Sequence, residues 1–213
     1  MSAPIQASAR VITYIDGFNL YFGLKTKGWK SLYWLDVHAL SGNLLKSGQT
    51  LTAVKYFTSR VSATPADPDQ PRRQNTFLEA LATLPVTTLF FGHYLSKPIQ
   101  CQRCGNQWQK NDEKMTDVNI ATELLVDAFQ NSFDTALLVS ADSDLVGPVT
   151  KVRALFPAKR VVVVFPPERN SKRLAQEANS YFTLGRSILA QSQLPNPVVK
   201  PDGFALRCPA TWV

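Results

Sequence analysis

Cysteine is scarce in this chain: there are 3 in 213 residues, two of them in the run CQRC. That is a poor basis for a disulfide framework and suits a reducing, cytoplasmic setting. Long apolar runs are also missing. A helix crossing a bilayer needs ~20 consecutive apolar residues, whereas the longest pieces here, TALLVS and RVVVVF, have the length of strands. The opening MSAPIQASAR lacks a charged segment followed by an apolar one, so no secretory leader is expected. Repeats and low-complexity linkers are absent too. Acids are outnumbered, 16 against 23 lysines and arginines, for a net charge of +7. Such an excess favours polyanionic partners over membranes, with nucleic acid ahead of a mere solubility charge.

What is present reads as one α/β domain over about residues 10–185. It carries a Cys-bearing loop insertion at about 96–113 and a Pro-rich extension over 186–213. Apolar strand-like runs alternate with segments of helical period: a strand at 11–16, a helix in LYWLDVHALSGNLLKSG capped by Asp36 and closed at Gly48, then a strand in AVKYFTSRV. A helix over RRQNTFLEALATL, a strand in TTLFFGHYL and a helix from about Thr116 to Phe129 follow. TALLVS, a helix from about Leu145 to Leu155, KRVVVVF, a short helix near Ser171 and a weak strand near Tyr181 complete the order. This alternation implies a mostly parallel sheet covered on both faces. In such sheets ligands bind beyond the carboxyl ends of the strands, where the winding reverses. If the first strand starts one direction and TALLVS the other, the two lie side by side.

Acidic residues fall where that crevice would be. Asp16 ends the first strand in ITYIDGFNLYFG, and ADSDL places Asp142 and Asp144 directly after TALLVS. On the helix in EKMTDVNIATELLVDAF, Asp117 shares a face with Ala121, Leu124 and Ala128, so it leads an apolar stripe toward the sheet. Each acid alone has an ordinary role as a cap or turn residue. Together they would repel or take up protons, and a hard divalent cation such as Mg²⁺ or Mn²⁺ is the simplest way to keep them ionised. Asn19, on the first helical turn, is placed to hold a water or phosphate, and Ser140 to support a carboxylate. Phe18, Leu20 and Phe22 read as packing residues.

The segments YIDGFNLYFGL, EKMTDVNIATELLVDAF and ALLVSADSDLVGPV together resemble the NYN domain of the LabA-like kind, within the PIN-like nuclease superfamily. The resemblance implies a three-layer α/β/α PIN-like (Rossmann-like) fold and Mg²⁺- or Mn²⁺-dependent phosphodiester hydrolysis, usually of RNA. It carries the family's acidic positions onto Asp16, Asp117, Asp142 and Asp144, with Asn19 as the accompanying amide. Lys114, Lys25, Arg60, Arg72, Arg73 and Lys172, with Ser140, are the candidate nucleic-acid contacts. DNA as substrate, a non-catalytic RNA-binding module and a phosphohydrolase with an aspartyl nucleophile are the alternatives. The last would want Asp-x-Asp on the first strand, where this chain has Asp16-Gly17-Phe18.

Cys101 and Cys104 with Gly105 look like half a zinc knuckle, for which His93 and Cys208 are candidate further ligands of a structural Zn²⁺. A redox pair or two free thiols are the other readings. Homo-oligomerisation is left undecided by the sequence.

Overall fold

The computed structural model describes residues 8–213, except for the side chains of 93–97 and 108–114. The N-terminal half holds β1 (Ala9–Asp16), α1 (Gly17–Thr26), α2 (Val37–Asn43), β2 (Gln49–Thr58), α3 (Gln70–Leu81) and β3 (Thr87–Phe91). A hairpin of β4 (His93–Gln100) and β5 (Gln107–Lys114) leads into α4 (Thr116–Phe129). The chain goes on through β6 (Thr135–Val139), α5 (Val146–Leu155), β7 (Arg160–Phe165), α6 (Lys172–Glu177) and β8 (Ser180–Thr183). It ends with α7 (Arg186–Gln191), β9 (Val198–Val199) and β10 (Ala205–Leu206).

Six strands form one parallel sheet in the order β3-β2-β1-β6-β7-β8. β6 is fully buried and β7 nearly so, as expected for apolar runs with no polar alternation. β1 and β6 are neighbours, with Ile15 opposite Val139, so the winding reverses between them. Helices cover both faces. Val11 and Ile15 pack with the α1–α2–α3 side, and Ile12 and Tyr14 with the α4–α5–α6 side, the alternation a strand imposes. The result is a three-layer α/β/α fold, the class the sequence predicts.

The differences are local. The helix capped by Asp36 does begin there, Ala39 N–H donating to Asp36 Oδ1 at 2.7 Å, but it ends at Asn43 rather than Gly48. The strand expected over TTLFFGHYL breaks at Gly92, and the Cys-bearing segment forms the β4–β5 hairpin. The C-terminal extension folds back onto the domain: Leu189, Leu194, Val198 and Leu206 join the core beside α1 and α2.

Polar groups fasten α4 to the sheet. Lys55 Nζ on β2 donates to Glu123 at 2.7 Å and Asp127 at 2.6 Å, and Tyr14 Oη donates to Asp127 at 2.6 Å. Asp127 is thus a buried acid with a structural occupation, because an unpaired buried charge is costly. Burial and that carboxylate push the Tyr14 phenol pKa far up.

A second clasp joins the start of β1 to the turn before β6. Arg10 binds Asp134 through its backbone N–H at 2.7 Å and its guanidinium at 2.8 Å. These donors hold the Asp134 carboxyl at about 2. Because that is below the unfolded value of about 3.9, the clasp contributes stability above about pH 4 and loses it as pH falls toward 2. A carboxyl NMR titration should find the Asp134 midpoint near 2 and find it returned toward about 3.9 in Arg10→Ala.

Candidate metal centre at the sheet switch point

The carboxyl end of β1 is built around one buried acid. Asp16 is 2% exposed, and both its oxygens are engaged. Oδ1 accepts the Asn19 backbone N–H at 2.9 Å, which makes Asp16 the N-cap of α1. Oδ2 accepts Asn19 Nδ2 at 2.6 Å and Ser140 Oγ at 3.0 Å. Ser140, just beyond β6, also accepts the Asp142 backbone N–H at 3.1 Å. Asp16 therefore sets both the amide of α1 and, through Ser140, the turn that carries Asp142 and Asp144. Burial raises the Asp16 pKa, donors from Asn19 and Ser140 oppose that rise, and the charge of Asp142 adds to it.

The turn after β6 is an Asx arrangement in which Asp142 Oδ1 accepts the Asp144 N–H at 2.9 Å. Asp117 comes from the first turn of α4. Met115, at φ 78°, takes the left-handed conformation that turns the hairpin sharply into this helix. Each of Asp117, Asp142 and Asp144 brings a carboxylate oxygen to within 4.8 Å of the others. Around a magnesium-sized ion with oxygen contacts of about 2.1 Å, ligands on opposite sides are about 4.2 Å apart. The three acids fit such an ion with modest closure, and their all-oxygen donor set suits a hard cation rather than a thiophilic one. Asp16 stands outside this group, so the four-acid set expected from sequence divides into three potential ligands and one buried organiser.

Gly17 is required by close approach. A Cβ there would lie 2.6 Å from the Tyr56 ring and 2.8 Å from the Phe57 carbonyl oxygen, so α1 leaves β1 pressed against β2. Gly23 has a comparable role farther along α1, where a Cβ would meet the Pro167 carbonyl oxygen at 2.7 Å. That contact seats the loop after β7 on α1 and puts Arg169 beside the site. Arg169 Nη1 lies 3.4 Å from Asn19 Oδ1, and its guanidinium covers the Phe22 ring at 5.6 Å. Its buried Nε has no hydrogen-bond partner among the described residues. The sequence reading passed over Arg169, since nothing within RNSKR distinguishes it from the neighbouring surface charges.

The other expected contacts scatter. Ser140 is fully buried and cannot touch nucleic acid, because its hydroxyl is spent on Asp16 and Asp142. Lys25 and Lys172 are exposed. Arg60 donates to Asn75 and lies over the Phe91 ring, Arg72 reaches Asp69 at 3.9 Å, and Arg73 is paired with Asp67. Phe22, expected in the core, is 41% exposed. The side chains of His93 and Lys114 lie outside the described residues.

The zinc set expected from sequence includes His93, whose side chain lies outside the described residues. Among the described residues no group of three metal-capable side chains contains a cysteine. Cys208 sits with the C-terminal segment against the core, its backbone N–H on Asn196 Oδ1 at 3.1 Å, and burial raises its thiol pKa. It thus disfavours the thiolate that a metal needs. Cys101 is different: backbone N–H groups of Arg103 and Cys104 donate to its sulfur and lower its pKa, in a tight turn closed by Gly105 at φ 69°.

A cavity of about 260 Å³ opens on the other side of Asp16. Its wall runs from Gly17 and Phe18 through Tyr21, Tyr33 and Tyr56 to Trp212 in the C-terminal segment.

A doubly covered parallel sheet with a carboxylate group at its switch point defines a Rossmann-like domain whose acids could hold a metal ion. The chain belongs to the NYN domain family, whose model matches residues 10–186, and with it to the PIN-like nuclease superfamily. It is 27% identical, over an alignment of 241 positions covering 92% of this chain and 75% of the relative, to 6-hydroxy-3-succinoylpyridine 3-monooxygenase HspA of Pseudomonas putida (strain DSM 28022 / S16). Its fold is similar to the crystal structure of a protein of unknown function from Vibrio parahaemolyticus RIMD 2210633. The TM-score is 0.56 at 16% identity, covering 91% of this chain and 100% of that one.

The steric argument at Gly17 is directly testable. Gly17→Ala should destabilise the protein by about 1–3 kcal/mol in chemical denaturation, with the loss only partly relieved by a second change, Tyr56→Leu, because the Phe57 carbonyl still opposes the new methyl.

Proposed function

We propose that this protein is a metal-dependent ribonuclease that cuts RNA phosphodiester bonds within the strand. The observation that carries the reading is the meeting of Asp117, Asp142 and Asp144 at the sheet switch point of an NYN domain. Those three acids would hold Mg²⁺ or Mn²⁺. When bound, such an ion supplies an activated water and neutralises charge developing on the phosphate.

The chain's own residues do the rest. Asp16 fixes Asn19 and, through Ser140, the backbone of Asp142, so the acids are held in place before substrate arrives. Preorganisation of this kind avoids reorganisation cost in the transition state. Asn19 offers an amide beside the site, and Arg169 a guanidinium whose Nη1 lies next to that amide and would add positive charge for a phosphate. Exposed Lys25 and Lys172, with Lys114, would contribute long-range attraction for a polyanion, and Arg60 and Arg72 a weaker share. RNA is favoured over DNA on family grounds alone.

The lowered pKa of Cys101 supports reading the CQRC turn as a thiolate half-site for structural zinc, with His93 and Cys208 the candidates to complete it. The three free thiols favour a cytoplasmic setting, and no described helix is long and apolar enough to cross a membrane.

One observation favours a second reading. The relative from Pseudomonas putida is named as a monooxygenase of a succinoylpyridine, and the aromatic cavity beside Asp16 has the character of a ring-binding site. On that reading the chain acts on a free heterocycle.

Labelled RNA incubated with Mn²⁺ should be cleaved by the wild type and protected by EDTA. Asp142→Asn should lower the rate by at least about a hundredfold while the melting temperature and circular dichroism stay near wild type. Wild-type turnover in the pure variant would sink the assignment.

A further inference from the structure

The cavity beyond Asp16 has no part in the metal chemistry, yet it is built for a ligand. Tyr33 and Tyr56 are 7% and 6% exposed, and Tyr21 is half-buried beside them. All three line the cavity, and among the described residues none of their hydroxyls makes a hydrogen bond. Burial pushes the Tyr33 phenol up to about 12 and the other two upward as well, so all three are neutral donors at physiological pH. None of the three hydroxyls is sealed off among the described residues, so the phenols open onto the cavity as donors within reach of an acceptor placed there.

The rest of the wall says what kind of acceptor. Tyr21 meets Tyr33 at 5.1 Å, Tyr33 meets Trp212 at 5.6 Å and Trp212 meets Phe77 at 6.0 Å, so the rings form a continuous aromatic surface. An aliphatic occupant would leave the hydroxyls without a partner. A planar heterocycle with polar edge atoms satisfies both the hydroxyls and the ring faces. Gln70, also on the wall, brings an amide that has no hydrogen-bond partner among the described residues. At the rim Lys25 Nζ lies 5.9 Å from both the Tyr21 and Phe22 rings, a cation where a phosphate would follow the ring.

Position along the chain completes the case. The wall starts at Gly17 and Phe18, the residues after Asp16, so cavity and acid cluster flank the same strand end. We infer that this cavity is a nucleobase pocket, taking one base of the strand whose phosphate lies at the Asp117–Asp142–Asp144 group. The path of the strand rests on the nuclease reading; the fit of the ring does not.

The test is calorimetric titration of the full chain in EDTA, where no cleavage intervenes. The probes are nucleoside 5′-monophosphates, ribose 5-phosphate as the baseless control, and 6-hydroxynicotinic acid as a free hydroxypyridine. At least one mononucleotide should bind, and ribose 5-phosphate at least about tenfold more weakly. Tyr21→Phe with Tyr33→Phe, which removes only the two hydroxyls, should weaken that nucleotide by about tenfold. Val61→Trp, which fills the space from its edge, should abolish binding and raise KM for RNA with little change in kcat. Equal binding of nucleotide and ribose 5-phosphate, nucleotide binding unaffected by the double variant, or binding of the hydroxypyridine acid with no nucleotide would each overturn the assignment, the last in favour of a free heterocycle. Metal-dependent RNA cleavage without nucleotide binding sinks the pocket alone. Nucleotide binding without cleavage of any strand sinks the nuclease reading and leaves the pocket standing.

Discussion

The site depends on a hydrogen bond between two strands that lie side by side in space and far apart in sequence. Ser140 donates to Asp16 across a separation of 124 residues, and that contact exists only because β1 and β6 pair in parallel at the reversal of the sheet. From it the geometry follows on both sides. The Asp16 carboxylate caps α1 and fixes Asn19, while the Ser140 oxygen holds the turn bearing Asp142 and Asp144. A rigid parallel sheet transmits position well, because each strand is locked by a ladder on either side.

Burying an acid next to three others is costly, and the division of roles explains how the fold tolerates it. Asp16 is kept from water but surrounded by donors, whereas Asp144 is exposed and Asp117 and Asp142 half-buried. Charge gathers where solvent or a cation can reach it, and only the organiser is enclosed. Asp127 shows the contrasting solution toward the other end of α4, where Lys55 pairs the buried acid outright. Burial of an acid thus does not by itself mark function; what its oxygens touch does.

The C-terminal segment changes the picture of the domain's other face. Trp212 closes the cavity over Tyr33 and Phe77, so a Pro-rich tail that looks dispensable in composition finishes a wall begun at Gly17. Acid cluster and aromatic cavity share one strand end, and α1 turns Asn19 toward Asp16 and lines the cavity with Phe18 and Tyr21.

Much of this was open to reading in one dimension. Periodicity and uninterrupted apolar runs located the parallel sheet, the reversal point and α4 with Asp117 on its inner side, since those depend on local pattern and on general rules of winding. The split of TTLFFGHYL at Gly92, the hairpin around CQRC and the early end of α2 at Asn43 escaped, because edge pairing and side-chain competition decide them. So did the separate standing of Asp16, the burial of Ser140, the wandering of Cys208 and the placing of Arg169. What the linear order determined by itself was which chemical groups each strand and helix would carry and toward which layer they would face. Only the folded chain decided which of them meet and which are shut away from water, because a distance between remote segments depends on every packing contact between them.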